Sequence, residues 1–274
     1  MPLPKFLIKR VPKQVNIRRI RKLIEDENIH TVCESASCPN IGECFSKKTL
    51  TFMILGDVCT RNCAFCGISH GQVVSTDPTE PERVAQTVNR LGLNYVVITS
   101  VTRDDLPDGG ASQFVAVIRK LANVRVEVLI PDFQGNEEAL RSVLDANPTV
   151  LNHNIETAPR LYSKIRPQAN YQRSLDILRQ TKEYKPTVYT KSGFMVGLGE
   201  RREEIFQILD DLHKHRCDII TIGQYLPPSK KHLQPSRYVE PIEFEEYKRS
   251  GEKLGLKVKA GPFVRSSYQA DEQI

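Results

Sequence analysis

Short runs rich in β-branched residues alternate with longer helical stretches through most of the chain, and this alternation limits the fold more than any other feature. The runs fall at residues 49–55, 95–99, 124–130, 149–156, 187–196 and 218–225. Residues 80–91, 111–121, 136–146, 171–183 and 200–214 have the patterning of helices. In the first of these, Pro81 suits an opening turn and Gly92 a C-cap. Strands separated by helices of ten or more residues predict a parallel sheet. Length sets the number of units. Eight units between residues 49 and 259 would have about 26 residues each, below the 30 or so that a βαβ unit takes, whereas six have about 35. The predicted fold is therefore α/β, a partial (β/α)6 barrel over residues 49–259. Residues 1–48 and 260–274 form N- and C-terminal extensions that cap it. In such a fold, chemistry belongs at the C-terminal ends of the strands.

Composition excludes several classes. Hydrophobic residues are 39% and charged residues 26% of the 274, which is ordinary for a globular protein and wrong for a disordered one. The longest apolar runs, such as residues 95–98 and 128–130, are far too short to span a bilayer. Residues 1–10 are basic but have no apolar region of a secretory signal, and Pro2, Pro4 and Pro12 break the helix of a transit peptide. The expected location is cytoplasmic. Much of the net charge of +6 lies before the first acid, Glu25, in Lys5, Lys9, Arg10, Lys13, Arg18, Arg19, Arg21 and Lys22. Such a segment is either a solvated arm or a docking surface for an acidic protein partner. With no tryptophan and no interleaved aromatics, a nucleic-acid partner is not expected.

Six of the seven cysteines lie between residues 33 and 66. An odd total without a secretory signal argues against a disulfide framework and for metal or redox chemistry. Cys217, beside the apolar pair Ile219 and Ile220, reads as a small buried hydrophobe. Cys59, Cys63 and Cys66 are spaced C-x3-C-x2-C directly after the first predicted strand. Structural zinc sites prefer four ligands in paired CxxC knuckles. Three thiolates on one loop instead suit a 4Fe–4S cluster with one open iron. Cys33, Cys38 and Cys44, spaced C-x4-C-x5-C, again supply three thiolates and leave a fourth ligand to come from elsewhere.

The second triplet, with Phe65 before its last cysteine, resembles the radical S-adenosyl-L-methionine (SAM) enzymes. The first triplet ahead of it narrows the resemblance to the lipoyl synthases. The strand ends agree: Gly56-Asp57; Thr99-Ser100-Val101 with Arg103-Asp104-Asp105-Leu106; Asn152-His153-Asn154-Ile155-Glu156; Gly197-Leu198-Gly199-Glu200; and Gly223-Gln224-Tyr225. So does the closing Arg265-Ser266-Ser267-Tyr268. The departures are mild: Gly67 stands where an acid or another polar residue is frequent, Thr102 where aspartate is common, and Gln269 where histidine is usual.

The resemblance implies that two sulfur atoms are inserted at carbons six and eight of an octanoyl chain on a lipoyl carrier domain or H protein. Both carbons are unactivated, so a radical cofactor is required. It further implies two 4Fe–4S clusters. Cys59, Cys63 and Cys66 would hold the one that cleaves SAM. Cys33, Cys38, Cys44 and Ser267 would hold an auxiliary cluster that is consumed as the sulfur source. The implied partners are a reductant such as ferredoxin or flavodoxin and an iron–sulfur carrier that rebuilds the spent cluster. A serine oxygen is a weaker partner for cluster iron than a thiolate, which suits a cluster that must come apart. Ser266 is the alternative to Ser267.

For SAM, Asn154 and Glu156 alternate along the fourth strand with the same facing, suited to ribose hydroxyls and an ammonium. Ser100, Lys191 and Arg166 are further candidates. Gly197-x-Gly199 either lets backbone approach the cofactor or is a simple turn. His153 faces the other way and should pack against a helix. Other readings are a different radical SAM sulfur inserter, which would lack the first triplet and the serine ending, and a non-enzymatic metal-binding module.

Overall fold

A computed structural model describes residues 2–9, 15–47 and 49–274. Contacts divide the chain into two compact units: residues 11–61 with 67–151, and residues 1–10 with 62–66 and 152–274.

The first unit opens with α1 (Val15–Asp26). Ile17, Ile20 and Ile24 recur at helical spacing and are buried, so one face packs and the other is solvated. Arg18, Arg19, Arg21 and Lys22 are exposed on this helix, and Arg21 pairs with Glu34 at 3.2 Å. Residues 15–26 of the basic segment thus form a packed amphipathic helix with its basic face solvated; Arg10 and Lys13 lie outside the described residues. Next come β1 (His30–Thr31), α2 (Val32–Ser35) and α3 (Ile41–Ser46). β2 (Thr51–Ile54) is buried throughout and pairs antiparallel with β1, His30 opposite Met53.

A small parallel pair, β3 (Val58–Cys59) and β4 (Ser69–His70), flanks the second cysteine loop. α4 (Glu80–Leu91) begins with Pro81 and ends at Gly92, whose φ of 66° makes the left-handed cap its sequence predicts. β5 (Tyr95–Ser100), α5 (Ala111–Lys120), β6 (Arg125–Leu129) and α6 (Glu137–Asp145) continue the alternation. β2, β5 and β6 are parallel, with Thr51 opposite Val97 and Val97 opposite Glu127. Asn136 caps α6 by accepting the Ala139 N–H at 3.1 Å. β7 (Val150–Asn152) is fully buried.

The second unit holds α7 (Tyr162–Ile165), α8 (Tyr171–Tyr184), β8 (Tyr189–Val196), α9 (Arg202–Lys214), β9 (Ile219–Gln224), α10 (Pro241–Lys253) and β10 (Lys257–Gly261). β8, β9 and β10 are parallel, with Lys191 opposite Ile219 and Ile219 opposite Lys257. β10 adds a strand to the six predicted. Leu175, Leu178, Ile208, Leu212, Ile220, Ile222 and Phe244 make its apolar core. Among the described residues, no helix is long and apolar enough to cross a membrane.

Candidate active site

In the first unit, Cys33 is buried on α2, a short helix that Thr31 caps by accepting the Glu34 N–H at 3.4 Å. Cys38 N–H donates to the Cys33 carbonyl at 3.0 Å, and Ile41 N–H to the Cys38 carbonyl at 3.2 Å. These turns carry the chain into α3, where Cys44 is half-buried. Burial pushes the Cys33 thiol up to about 12, and the charges that Cys38 and Cys44 would carry push the same way. Bound metal charge would reverse that shift. Among the described residues, no three Cys, His, Asp or Glu side chains close round the position of a single ion. A 4Fe–4S cluster gives each thiolate its own iron and spaces its ligands more widely.

Cys59 ends β3, and its sulfur accepts the Arg61 N–H at 3.4 Å. Arg61 is buried and forks onto Asp104, with a further bond to Asp132. Ser100 ends β5, and its buried hydroxyl has no hydrogen-bond partner.

The second unit holds Cys63 and Cys66, both half-buried. Cys66 N–H donates to the Cys63 carbonyl at 3.0 Å, and Ala64 N–H to the Ile165 carbonyl at 2.8 Å. Phe65 packs against the apolar core. The loop is therefore tied at a backbone bond and at an aromatic anchor.

Asn154 and Glu156 come together, but not by strand alternation. Regular pairing stops at Asn152. Glu156 takes a left-handed φ of 64° while its N–H still donates to the Gly193 carbonyl at 3.0 Å. That twist turns the carboxylate onto the Asn154 amide, which donates to it at 3.0 Å and to the Ser266 hydroxyl at 3.4 Å. Arg166 Nη1 donates to the Asn154 carbonyl at 3.0 Å. Burial raises the Glu156 carboxyl, against the pull of Arg166, of the Asn154 amide and of Arg265. Asn154 Oδ1 is buried with no hydrogen-bond partner. A carboxylate beside an unmet amide acceptor suits a ligand bearing an ammonium and hydroxyls.

Lys191 is fully buried on β8. Ser267 is half-buried in the turn where Tyr268 N–H donates to the Arg265 carbonyl at 3.0 Å. The Gly197-x-Gly199 segment forms a turn that the Glu200 carboxylate closes. Glu200 takes the Gly197 and Leu198 N–H groups, at 2.5 and 2.8 Å, and a Cβ on Gly197 would lie 2.2 Å from Gln224 Nε2. His153 is bound to Ser174 of α8 at 3.0 Å, as its facing predicts. Cys217 is buried, and burial pushes its thiol up to about 12. The sequence reading missed Arg61 and Asp132. An arginine between two cysteines was the available signal for the first; the second had none.

The chain belongs to the radical SAM superfamily, whose family description matches residues 53–212. The likeness in fold agrees. Streptococcus suis SuiB bound to S-adenosylmethionine superposes with a TM-score of 0.61 at 9% identity, over 84% of this chain and 56% of that one. The [FeFe]-hydrogenase maturase HydG gives 0.60 at 15% identity, over 91% and 68%.

Within that superfamily the chain is a member of the lipoyl synthase family. It is 53% identical to the lipoyl synthase of Caldanaerobacter subterraneus subsp. tengcongensis over 98% of this chain and 95% of that protein. It is 54% identical to that of Rubrobacter xylanophilus over 98% and 86%. It is thus a sulfur-transferring enzyme that works with 4Fe–4S clusters and SAM.

Proposed function

We propose that the enzyme inserts sulfur at carbons six and eight of an octanoyl chain carried on a lipoyl carrier domain or H protein. The observation that carries this reading is full-length likeness to lipoyl synthases together with both cysteine triplets and the paired serines near the C-terminus. A cluster and SAM, when bound, supply the radical that removes hydrogen from an unactivated carbon.

In this reading Cys59, Cys63 and Cys66 bind the SAM-cleaving cluster and leave one iron for the cofactor. Glu156 and Asn154 hold its ammonium and hydroxyls, with Arg166, Ser100 and Lys191 as further contacts. Residues 1–48 and 260–274 complete the auxiliary site through Cys33, Cys38, Cys44 and Ser267, around the barrel of residues 49–259. The hydroxyl of Ser267 binds iron less firmly than a thiolate, so that site can release its sulfur. A ferredoxin or flavodoxin supplies electrons, an iron–sulfur carrier rebuilds the cluster, and the work is cytoplasmic.

The test is anaerobic incubation of an octanoylated carrier peptide with reductant and SAM, read by mass spectrometry. Two sulfur atoms added per peptide, by protein reconstituted with about eight irons, are expected. Cys63→Ala should lose SAM cleavage, whereas Cys38→Ala should cleave SAM without adding sulfur. Brisk SAM cleavage by the unaltered protein with the octanoyl chain untouched would overturn the reading.

A further inference from the structure

The start of the second cysteine loop is held by a buried ion cluster. Arg61, two residues after Cys59, is 6% exposed. Its Nε donates to Asp104 Oδ2 at 2.6 Å, and its Nη2 donates to Asp104 Oδ1 at 2.9 Å and to Asp132 Oδ1 at 2.6 Å. Asp132 is buried, and its Oδ1 also accepts the Gln134 N–H at 3.1 Å. Thr60 reinforces the attachment. Its N–H and its hydroxyl donate to the Thr102 carbonyl at 3.0 and 2.9 Å. Its hydroxyl accepts the Asp104 N–H at 3.1 Å. The outcome is at Arg61's own backbone, whose N–H meets Cys59 Sγ at 3.4 Å.

One guanidinium facing two carboxylates brings no surplus positive charge to the sulfur. Its effect is therefore geometric. The planar fork fixes where residue 61 sits, and a lysine cannot reproduce that fork. Hydrogen bonds to cluster sulfurs are among the levers that set a cluster's potential, because they stabilise the more negative, reduced state.

We propose that Arg61 is a positioning residue for the SAM-cleaving cluster: docked on Asp104 and Asp132, its side chain holds its own N–H against the Cys59 sulfur, and so sets the cluster's retention and reduction potential. The inference rests on the reading that Cys59 is a cluster ligand.

The experiment uses full-length protein in which Cys33, Cys38 and Cys44 are alanine, so that only this cluster is read. In Arg61→Lys, iron should pass to a chelator about tenfold faster, the low end of what loss of a partner to a metal ligand costs. The midpoint potential, followed by electron paramagnetic resonance, should shift negative. Asp104→Asn keeps the Arg61–Asp132 bond and the side-chain shape, and should move both readings the same way by less. It carries the test if Arg61→Lys does not fold. A folded variant that holds iron and titrates like the parent overturns the proposal. So does an equal shift in Asp105→Asn, which removes the charge and one of the two bonds that Arg103 donates to Asp105 at 2.8 Å and would make general loop stiffness the cause. Failure of the underlying reading is separately visible: the Cys59→Ala protein would then keep the cluster signal.

Discussion

Glu156 is a carboxylate that folding takes out of water without full compensation. Burial raises its carboxyl more than Arg166, the Asn154 amide and Arg265 lower it. A raised acid favours its protonated form in the fold. Its contribution to stability is thus complete below the ordinary glutamate range and is lost as pH rises through the raised value. Once ionised, the group weakens the fold. Glu156→Gln should therefore raise the melting temperature of the ligand-free protein at alkaline pH, with the gain vanishing in acid. It should also weaken SAM binding by roughly 1–3 kcal/mol, as expected for a lost charged hydrogen bond. Calorimetry checks both, and a lower melting temperature at alkaline pH would contradict the assignment. Thiol chemistry is predictable at the same scale. Cys33 and Cys217 are buried and both pushed up to about 12, while the other five cysteines are half-buried. Alkylation of the metal-free native chain at mildly alkaline pH should mark those five first and the buried pair only on unfolding, as read by peptide mapping.

Among the elements, α4 was the most legible, since its opening proline and its closing left-handed glycine are both local signals. β10 was not. Lys257, Lys259 and Gly261 give no β-branched run, and the strand exists through residue-by-residue pairing with β9, which is non-local. The periodic Ile17, Ile20 and Ile24 of α1 were legible in principle, but the surrounding basic charge was read as a solvated arm or a docking surface, and neither reading called for a packed helix. The serine-bearing turn is held by elements distant in sequence. Lys9 Nζ lies 5.0 Å from the ring centres of both Phe263 and Tyr268, and a Cβ on Gly223 would come 2.1 Å from the Val264 carbonyl oxygen. Lys9→Ala should cost about 1 kcal/mol, the scale of exposed cation–π pairs, and quicken hydrogen exchange over residues 262–268. Gly223→Ala, which meets backbone and not a pliable side chain, should disturb the same residues more. Unchanged exchange in both variants would show that the turn is held by other contacts.

At the scale of the whole chain, the chemistry was legible because each cysteine triplet is contiguous. The Arg61 cluster was not, because residues 61, 104 and 132 meet only in the fold. The same contrast separates the cysteine-bearing helices from the strands of the apolar core. β2 and β5 are buried and paired in register, so burial keeps them folded whether or not metal is present. α2 and α3 have four and six residues, far below the length at which a helix is stable alone. Between them they offer the core little beyond Cys33 and Phe45. If Cys33, Cys38 and Cys44 share a cluster, that cluster is the main cross-link over residues 32–46. Stripping iron by chelation should then leave helical and strand content nearly intact by circular dichroism. Hydrogen exchange over residues 32–46 should rise at least tenfold, about 1.4 kcal/mol of lost local stability, with little change in β2 and β5. In Cys38→Ala protein the same residues should be fast already and indifferent to the chelator. A uniform loosening of both the helices and the strands would instead mean that the metal supports the whole unit.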